Sequence, residues 1–369
     1  MEGAAPLLAA RGEEEVVEGR RRGGGGGATS AQTLGNVVVS IVGTGVLGLP
    51  YAFRTAGWVA GSLGVAAAGC ATLYCMLLLV DCRDKLEEKE SEETYHGHYT
   101  YGDLGEKCFG TIGRCLTEIL ILVSQADVCN VLAMAIVIKE DLQLFDHPFA
   151  NRSAFNGLWA IPFTFGVAVF CFEGFSMTLA LESSMAERRK FRWVLSQAVV
   201  GIIIVYACFG VCGYLAYGEA TKDIITLNLP NSWSSAAVKV GLCIALVFTF
   251  PVMMHPIHEI VEERFQSSGC FQKLSHKVRG AEWVGLHSSR IVMVTILSVV
   301  ASFIPAFGSF ISFVGSTVCA LLSFVLPTIF HLSIVGSSMS PWRRWVDYGF
   351  LLFGLGFAGY GLIRALFSH

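Results

Sequence analysis

Charge is what this 369-residue chain has little of: Asp, Glu, Lys and Arg make up 15% of it, against 53% hydrophobic residues. A soluble domain carries about 25% charged residues, so the deficit excludes an ordinary soluble globule. The net charge of −3 leaves no basis for a nucleic-acid partner, which needs a basic surface. No C-x-x-C pair occurs among the twelve cysteines. Most of them fall in apolar segments, where thiols serve as small packing residues, so no disulfide framework is expected. No Ser-His-Asp, H-E-x-x-H or metal-binding cluster lies within the apolar segments, and His96-Gly-His98 supplies only two ligands. An enzyme embedded in the membrane therefore has no catalytic constellation to use, and neither a metal nor a cofactor is expected. The first 30 residues also lack the apolar core of a cleavable signal peptide. With Glu13-Glu14-Glu15, Arg20-Arg21-Arg22 and five glycines at 23–27, residues 1–32 read as a disordered tail.

What is present is a series of long apolar runs. A membrane helix needs about 20 predominantly apolar residues, and nine stretches qualify: 33–53, 58–80, 115–138, 157–181, 194–217, 236–257, 290–310, 313–335 and 346–366. Pro50, Pro162, Pro251, Pro305 and Pro327 fall in or beside them, so several helices should be kinked or broken. Placing the tail in the cytosol puts 20 of the 26 Lys and Arg residues on the cytosolic side, as the positive-inside bias requires. Nine crossings then leave the C-terminus on the far side. The sequon Asn151-Arg152-Ser153 falls on that far side too.

The first apolar run carries the most informative string, Val42-Gly-Thr-Gly-Val-Leu-Gly-Leu-Pro50. Its Gly43-Thr44-Gly45-Val46-Leu47-Gly48 matches the dinucleotide fingerprint G-x-G-x-x-G. Context opposes that reading. Pro50 follows at once, and no acidic ribose partner stands about 20 residues on, the next carboxylate being Asp81. In lipid a helix keeps its backbone groups bonded internally. Three glycines and a proline instead invite it to open at mid-depth, as the discontinuous helices of secondary transporters do around their substrates.

Four strings in order carry a family resemblance. Gly43-Thr-Gly-Val-Leu-Gly-Leu-Pro-Tyr-Ala-Phe53 resembles the first span of the amino acid/auxin permease family, and Tyr101-Gly-Asp-Leu-Gly-Glu106 the loop after its second. Gly213-Tyr-Leu-Ala-Tyr-Gly-Glu219, continuing to Leu229, resembles the end of its seventh span, and Phe250-Pro-Val-Met-Met-His-Pro256 its eighth. The likeness covers residues 33–366 and is greatest to plant vacuolar amino acid transporters. It implies an all-α leucine-transporter-like fold of two inverted five-helix repeats plus one helix, eleven spans in all. Nine are present here. The shortfall maps to the 125/126 junction, where the end of the third family span, the fourth span and the adjoining loops are missing. Glu118, Gln125, Asp127 and Asn130 then share one hybrid span. A charge near the midplane costs on the order of 2.5–3.5 kcal/mol on insertion scales, so Asp127 should face the bundle or be protonated.

The resemblance also implies the site. It places Gly43, Thr44, Gly45, Val46, Phe172, Gly174, Phe175 and Thr249 at the substrate, and it points to Glu173 and His255 for proton coupling. Opened N–H groups in the first helix would take the substrate carboxylate, and carbonyls released near Gly174 its ammonium. Glu173 stands before Gly174 in an apolar helix, and intramembrane carboxylates are functional by default. His255 and His258 lie one turn apart, and imidazole titrates in a useful range. Glu182 is expected to be a surface partner of Arg188 and Arg189, and Phe307, Phe310 and Phe313 to be packing residues. The function implied is proton-coupled transport of neutral amino acids across the vacuolar membrane. Substrate, protons and the lipid bilayer are its partners, with self-association into a homo-oligomer left open. The rival is a shortened, transport-inactive form acting as a sensor or regulatory partner.

Overall fold

The computed structural model describes residues 28–90, 100–124, 137–138, 152–230, 232–233, 235–244, 254, 281–302 and 306–367. Within them the chain is helical, and the one strand-like feature is an isolated bridge between Ala28 and Met185. An all-α polytopic membrane protein is thus what the apolar runs build.

Helix α1 (Ser30–Ile41) starts at a capping box: the Thr29 hydroxyl accepts from the Gln32 N–H, and the Gln32 side chain accepts from the Thr29 N–H. Such reciprocal caps satisfy orphan donors at a helix start. The helix stops where Val42 and Gly43 turn extended. A 3-10 turn over Thr44–Gly48 follows, and then α2 (Leu49–Ala56). The two segments are bent by 54°. Pro50 sits in the first turn of α2, where its missing N–H would be unpaired anyway. It does not open the helix, as its place in the sequence suggests, but restarts it beyond the break.

Gly57, at a positive φ of 93°, ends α2 and releases α3 (Trp58–Glu90), the longest helix described. Next come α4 (Tyr101–Ser124), kinked at Gly110 with φ 65°, then α5 (Ile161–Cys171) and α6 (Phe175–Ser184). Helices α7 (Phe191–Tyr217), α8 (Ser235–Ile244) and α9 (Ala281–Ser302) lead to α10 (Phe307–Val314). Two π-helical turns, Gly315–Cys319 and Leu321–Val325, join α10 to α11 (Leu326–Ile334), and α12 (Pro341–Phe367) closes the series.

Four stretches are long and apolar enough to cross a membrane unaided: 58–88, 188–220, 307–334 and 341–367. The bent α1–α2 pair makes a fifth. The run anticipated at 157–181 is split in two, and the one at 290–310 is observed as α9, beginning nine residues earlier. The runs at 115–138 and 236–257 fall only partly within the described residues. The core forms where α3 packs on α5, α7 and α11, with α2 on α7 and α5 on the first π-helical turn. Phe53, Phe172, Phe175, Phe191 and Phe209 are fully enclosed there. The described cysteines are all free thiols, as their apolar settings suggest.

Candidate functional site at two helix breaks

The run containing Glu173 is broken as well. Helix α5 ends at Cys171, and Phe172 and Glu173 make one loose turn. Gly174 is extended at φ −173°, and α6 restarts at Phe175. The two breaks interlock. A methyl group built on Gly45 would lie 2.5 Å from the ring of Phe170, one residue before the end of α5; one built on Gly174 would lie 2.7 Å from Cγ1 of Ile41, the last residue of α1. Contacts under 3.0 Å do not occur for real side chains, so each glycine leaves room for the other helix.

Four helix ends therefore meet. The ends of α1 and α5 carry carbonyls whose regular intrahelical donors are lost and the negative pole of the helix dipole, whereas the turn leading into α2 and the start of α6 carry N–H groups whose regular intrahelical acceptors are lost and the positive pole. A zwitterion needs both kinds of partner at one place. Gly45 and Val46 are buried beside the first break; Phe172, Gly174 and Phe175 are buried at the second. Glu173 lies between α5 and α6, its side chain 8% exposed. Six of the residues selected from sequence (Gly43, Gly45, Val46, Phe172, Gly174, Phe175) and the backbone of Thr44 thus meet at the crossing with Glu173. Thr249, His255 and His258 lie outside the described residues, as do Asp127 and the sequon's Asn151.

Several polar residues at the two rims escape the sequence reading. Glu182 is not a surface partner: its side chain is 2% exposed and bonds Arg83 of α3 at 2.7 Å. Arg188 pairs instead with Glu87, at 3.5 Å. At the same rim, the one assigned to the cytosol, Asp81 gathers Arg192 of α7 at 2.6 Å, Arg343 of α12 at 3.3 Å and His331 of α11 at 3.7 Å. His331 Nδ1 is 2.7 Å from Asp347, which also accepts from the Tyr74 hydroxyl at 2.6 Å. Ionisable residues inside apolar helices were the available signal for His331 and Asp347. For Arg83 and Glu182, 99 positions apart, no local pattern exists.

The opposite rim is held more lightly. Arg54 donates to the Thr221 carbonyl at 2.8 Å, pairs with the exposed Glu219 at 3.4 Å and lies over the Tyr51 ring. Asp223 accepts from the Gly308 N–H at the start of α10, at 3.3 Å. Phe307 and Phe313 pack against the core, as anticipated, and Phe310 is 38% exposed.

Paired discontinuous helices, interlocked inside an all-helical membrane bundle, define the structural class to which many secondary transporters belong. A sequence model described as "Transmembrane amino acid transporter protein" matches residues 26–151 and 126–367. The chain belongs to that family, whose activity is amino acid transport. It is 47% identical to amino acid transporter ANT1 of Arabidopsis thaliana, with 92% of each chain covered. Amino acid transporter AVT3B of the same plant is 34% identical, over 88% of this chain and 90% of the relative. The proton-coupled amino acid transporter-like protein pathetic of Drosophila melanogaster is 24% identical, over 92% and 84%. The ANT1 alignment runs over 402 positions, whereas 92% of 369 residues is about 340. About 60 of its positions therefore face no residue of this chain.

Proposed function

We propose that the chain is a proton-coupled secondary transporter of neutral amino acids in the vacuolar membrane, working by alternating access around the two breaks. The observation that carries this reading is the reciprocal fit of Phe170 at Gly45 and Ile41 at Gly174. It brings two N–H-bearing and two carbonyl-bearing helix ends to one buried place. The substrate carboxylate takes the N–H groups of Gly43, Thr44 and Gly45, beside Val46, whose own N–H donates to the Gly43 carbonyl at 3.3 Å, and the ammonium takes carbonyls around Phe172 and Gly174. Phe172, Phe175 and Thr249 contact the rest of the substrate. Glu173 accepts the coupled proton, with His255 on its path. A neutral side chain suits a crossing lined by Phe and Val. Proton coupling has further support in the name of the Drosophila relative, and the vacuolar membrane in the resemblance to plant vacuolar transporters.

The test is uptake of labelled neutral amino acids into proteoliposomes with and without an imposed proton gradient. Flux should follow the gradient, and Glu173→Gln should abolish gradient-driven uptake while leaving substrate exchange measurable. Normal gradient dependence in that variant would remove Glu173 from the mechanism.

A second reading has its own support. The family match in two overlapping stretches and the 60 or so unfilled alignment positions fit a first repeat shortened at 125/126. A chain so shortened acts as a sensor or regulatory partner. Pure protein without flux, which nonetheless copurifies with a full-length relative, would favour this reading over transport.

A further inference from the structure

Tyr206 lies in the middle of α7, wholly buried, its ring 5.1 Å from that of Phe172. Its hydroxyl reaches two backbone carbonyls, that of Ile41 at 3.2 Å and that of Cys171 at 3.0 Å. These are the last carbonyls of α1 and of α5. In unbroken helices they would accept from Gly45 and Phe175, four residues on. The breaks remove those donors. Two buried carbonyls, each at the negative end of a helix dipole, therefore converge on one phenolic hydrogen, which they share.

Converging carbonyls at half-helix C-terminal ends are what a coupling cation seeks in broken-helix transporters. Here a side chain already occupies the spot. We infer that the Tyr206 hydroxyl is the resident stand-in for a metal cation, a positioning residue that holds the two breaks together and makes their junction independent of sodium. The inference rests on the transport reading and sharpens it: with this position filled by a neutral donor, the proton is left as the coupling ion. Tyr206 does not touch the substrate; it fixes the two helix ends that do.

Tyr206→Phe preserves the ring and its packing on Phe172 but leaves both carbonyls without a donor. The purified variant and the wild type are compared by thermal unfolding in sodium, lithium and choline chloride at equal ionic strength. The wild type should unfold at one temperature in all three salts. The variant should unfold earlier in choline and recover part of the difference in sodium or lithium. In proteoliposomes its proton-driven uptake should fall about tenfold, the loss expected for an unmet buried hydrogen bond, and regain part of that loss with sodium. A variant that is less stable but indifferent to all three cations overturns the inference, and so does one that behaves as wild type. If the variant cannot be purified in any salt, the wild type decides: sodium-dependent uptake or stabilisation of the unaltered protein overturns the inference, and sodium-independent uptake supports it. The unfolding comparison needs no flux, so absence of transport would defeat the transport reading without deciding this one.

Discussion

The two rims of the bundle are closed by different chemistry. At the rim assigned to the cytosol, α3, α6, α7, α11 and α12 are joined through side-chain charges, with Arg83, Glu182, His331 and Asp347 all buried. At the opposite rim the links are mostly side chain to backbone, namely Arg54 to Thr221, Arg152 to Leu215 and Asp223 to Gly308, and the ion pair there is solvent-exposed. Exposed pairs contribute about 0–1 kcal/mol, whereas orphaning one partner of a buried pair costs about 3–5 kcal/mol. The rims should therefore differ in how much free energy opening requires, with the far side yielding first.

The comparison can be broken most forcefully at Arg83. Arg83→Ala strands Glu182 as a buried carboxylate and should destabilise the protein by about 3–5 kcal/mol, read as a large fall in the unfolding temperature of detergent-purified protein. Replacing the pair together, Arg83→Met with Glu182→Leu, should restore most of that loss, because well-packed apolar residues commonly match a buried pair. A double variant as unstable as the single one would show that the network beyond the pair carries the rim. A smaller effect is expected at Asp347. Asp347→Ala leaves the Tyr74 hydroxyl and the His331 ring without their acceptor, at about 1–3 kcal/mol for each group left unmet, and should loosen α12 in hydrogen-exchange measurements. An unchanged exchange pattern there would deny the contact any structural weight.

The smallest stability change belongs to the far rim. Arg54→Ala removes a half-exposed pair and one bond to a carbonyl, so the unfolding temperature should move by no more than the equivalent of about 1 kcal/mol. Its functional effect should be plainer. A cysteine introduced at Thr221 should react faster with a membrane-impermeant thiol reagent in the Arg54→Ala background. Equal rates in both backgrounds would mean that Arg54 does not help to close that rim.

How far these features could be read from sequence depended on where their partners lie. The break in the first helix is written locally, in three glycines and a proline within eight residues, and it occurs where that string predicts. The second break followed from the family resemblance, which implied carbonyls released near Gly174, and not from the local string. Pro50 was read in the right place with the wrong role, because a proline that ends one helix and one that begins the next look alike in a string. Glu182 was misjudged because its basic neighbours in sequence are not its neighbours in space; Arg83 comes from another helix. Tyr206 left no trace at all, since its partners are backbone carbonyls and its neighbours on α7 are ordinary apolar residues. Side chains that answer main-chain vacancies elsewhere are set by the fold and not by their neighbours in sequence.

The mutual seating of Phe170 at Gly45 and Ile41 at Gly174 has a mechanical consequence. Neither turn has room for a side chain at its glycine, so the two bent helices press against each other at both crossings. Under the transport mechanism proposed above, both bends should therefore move as a single joint, and a stiffened joint would stall both arms at once.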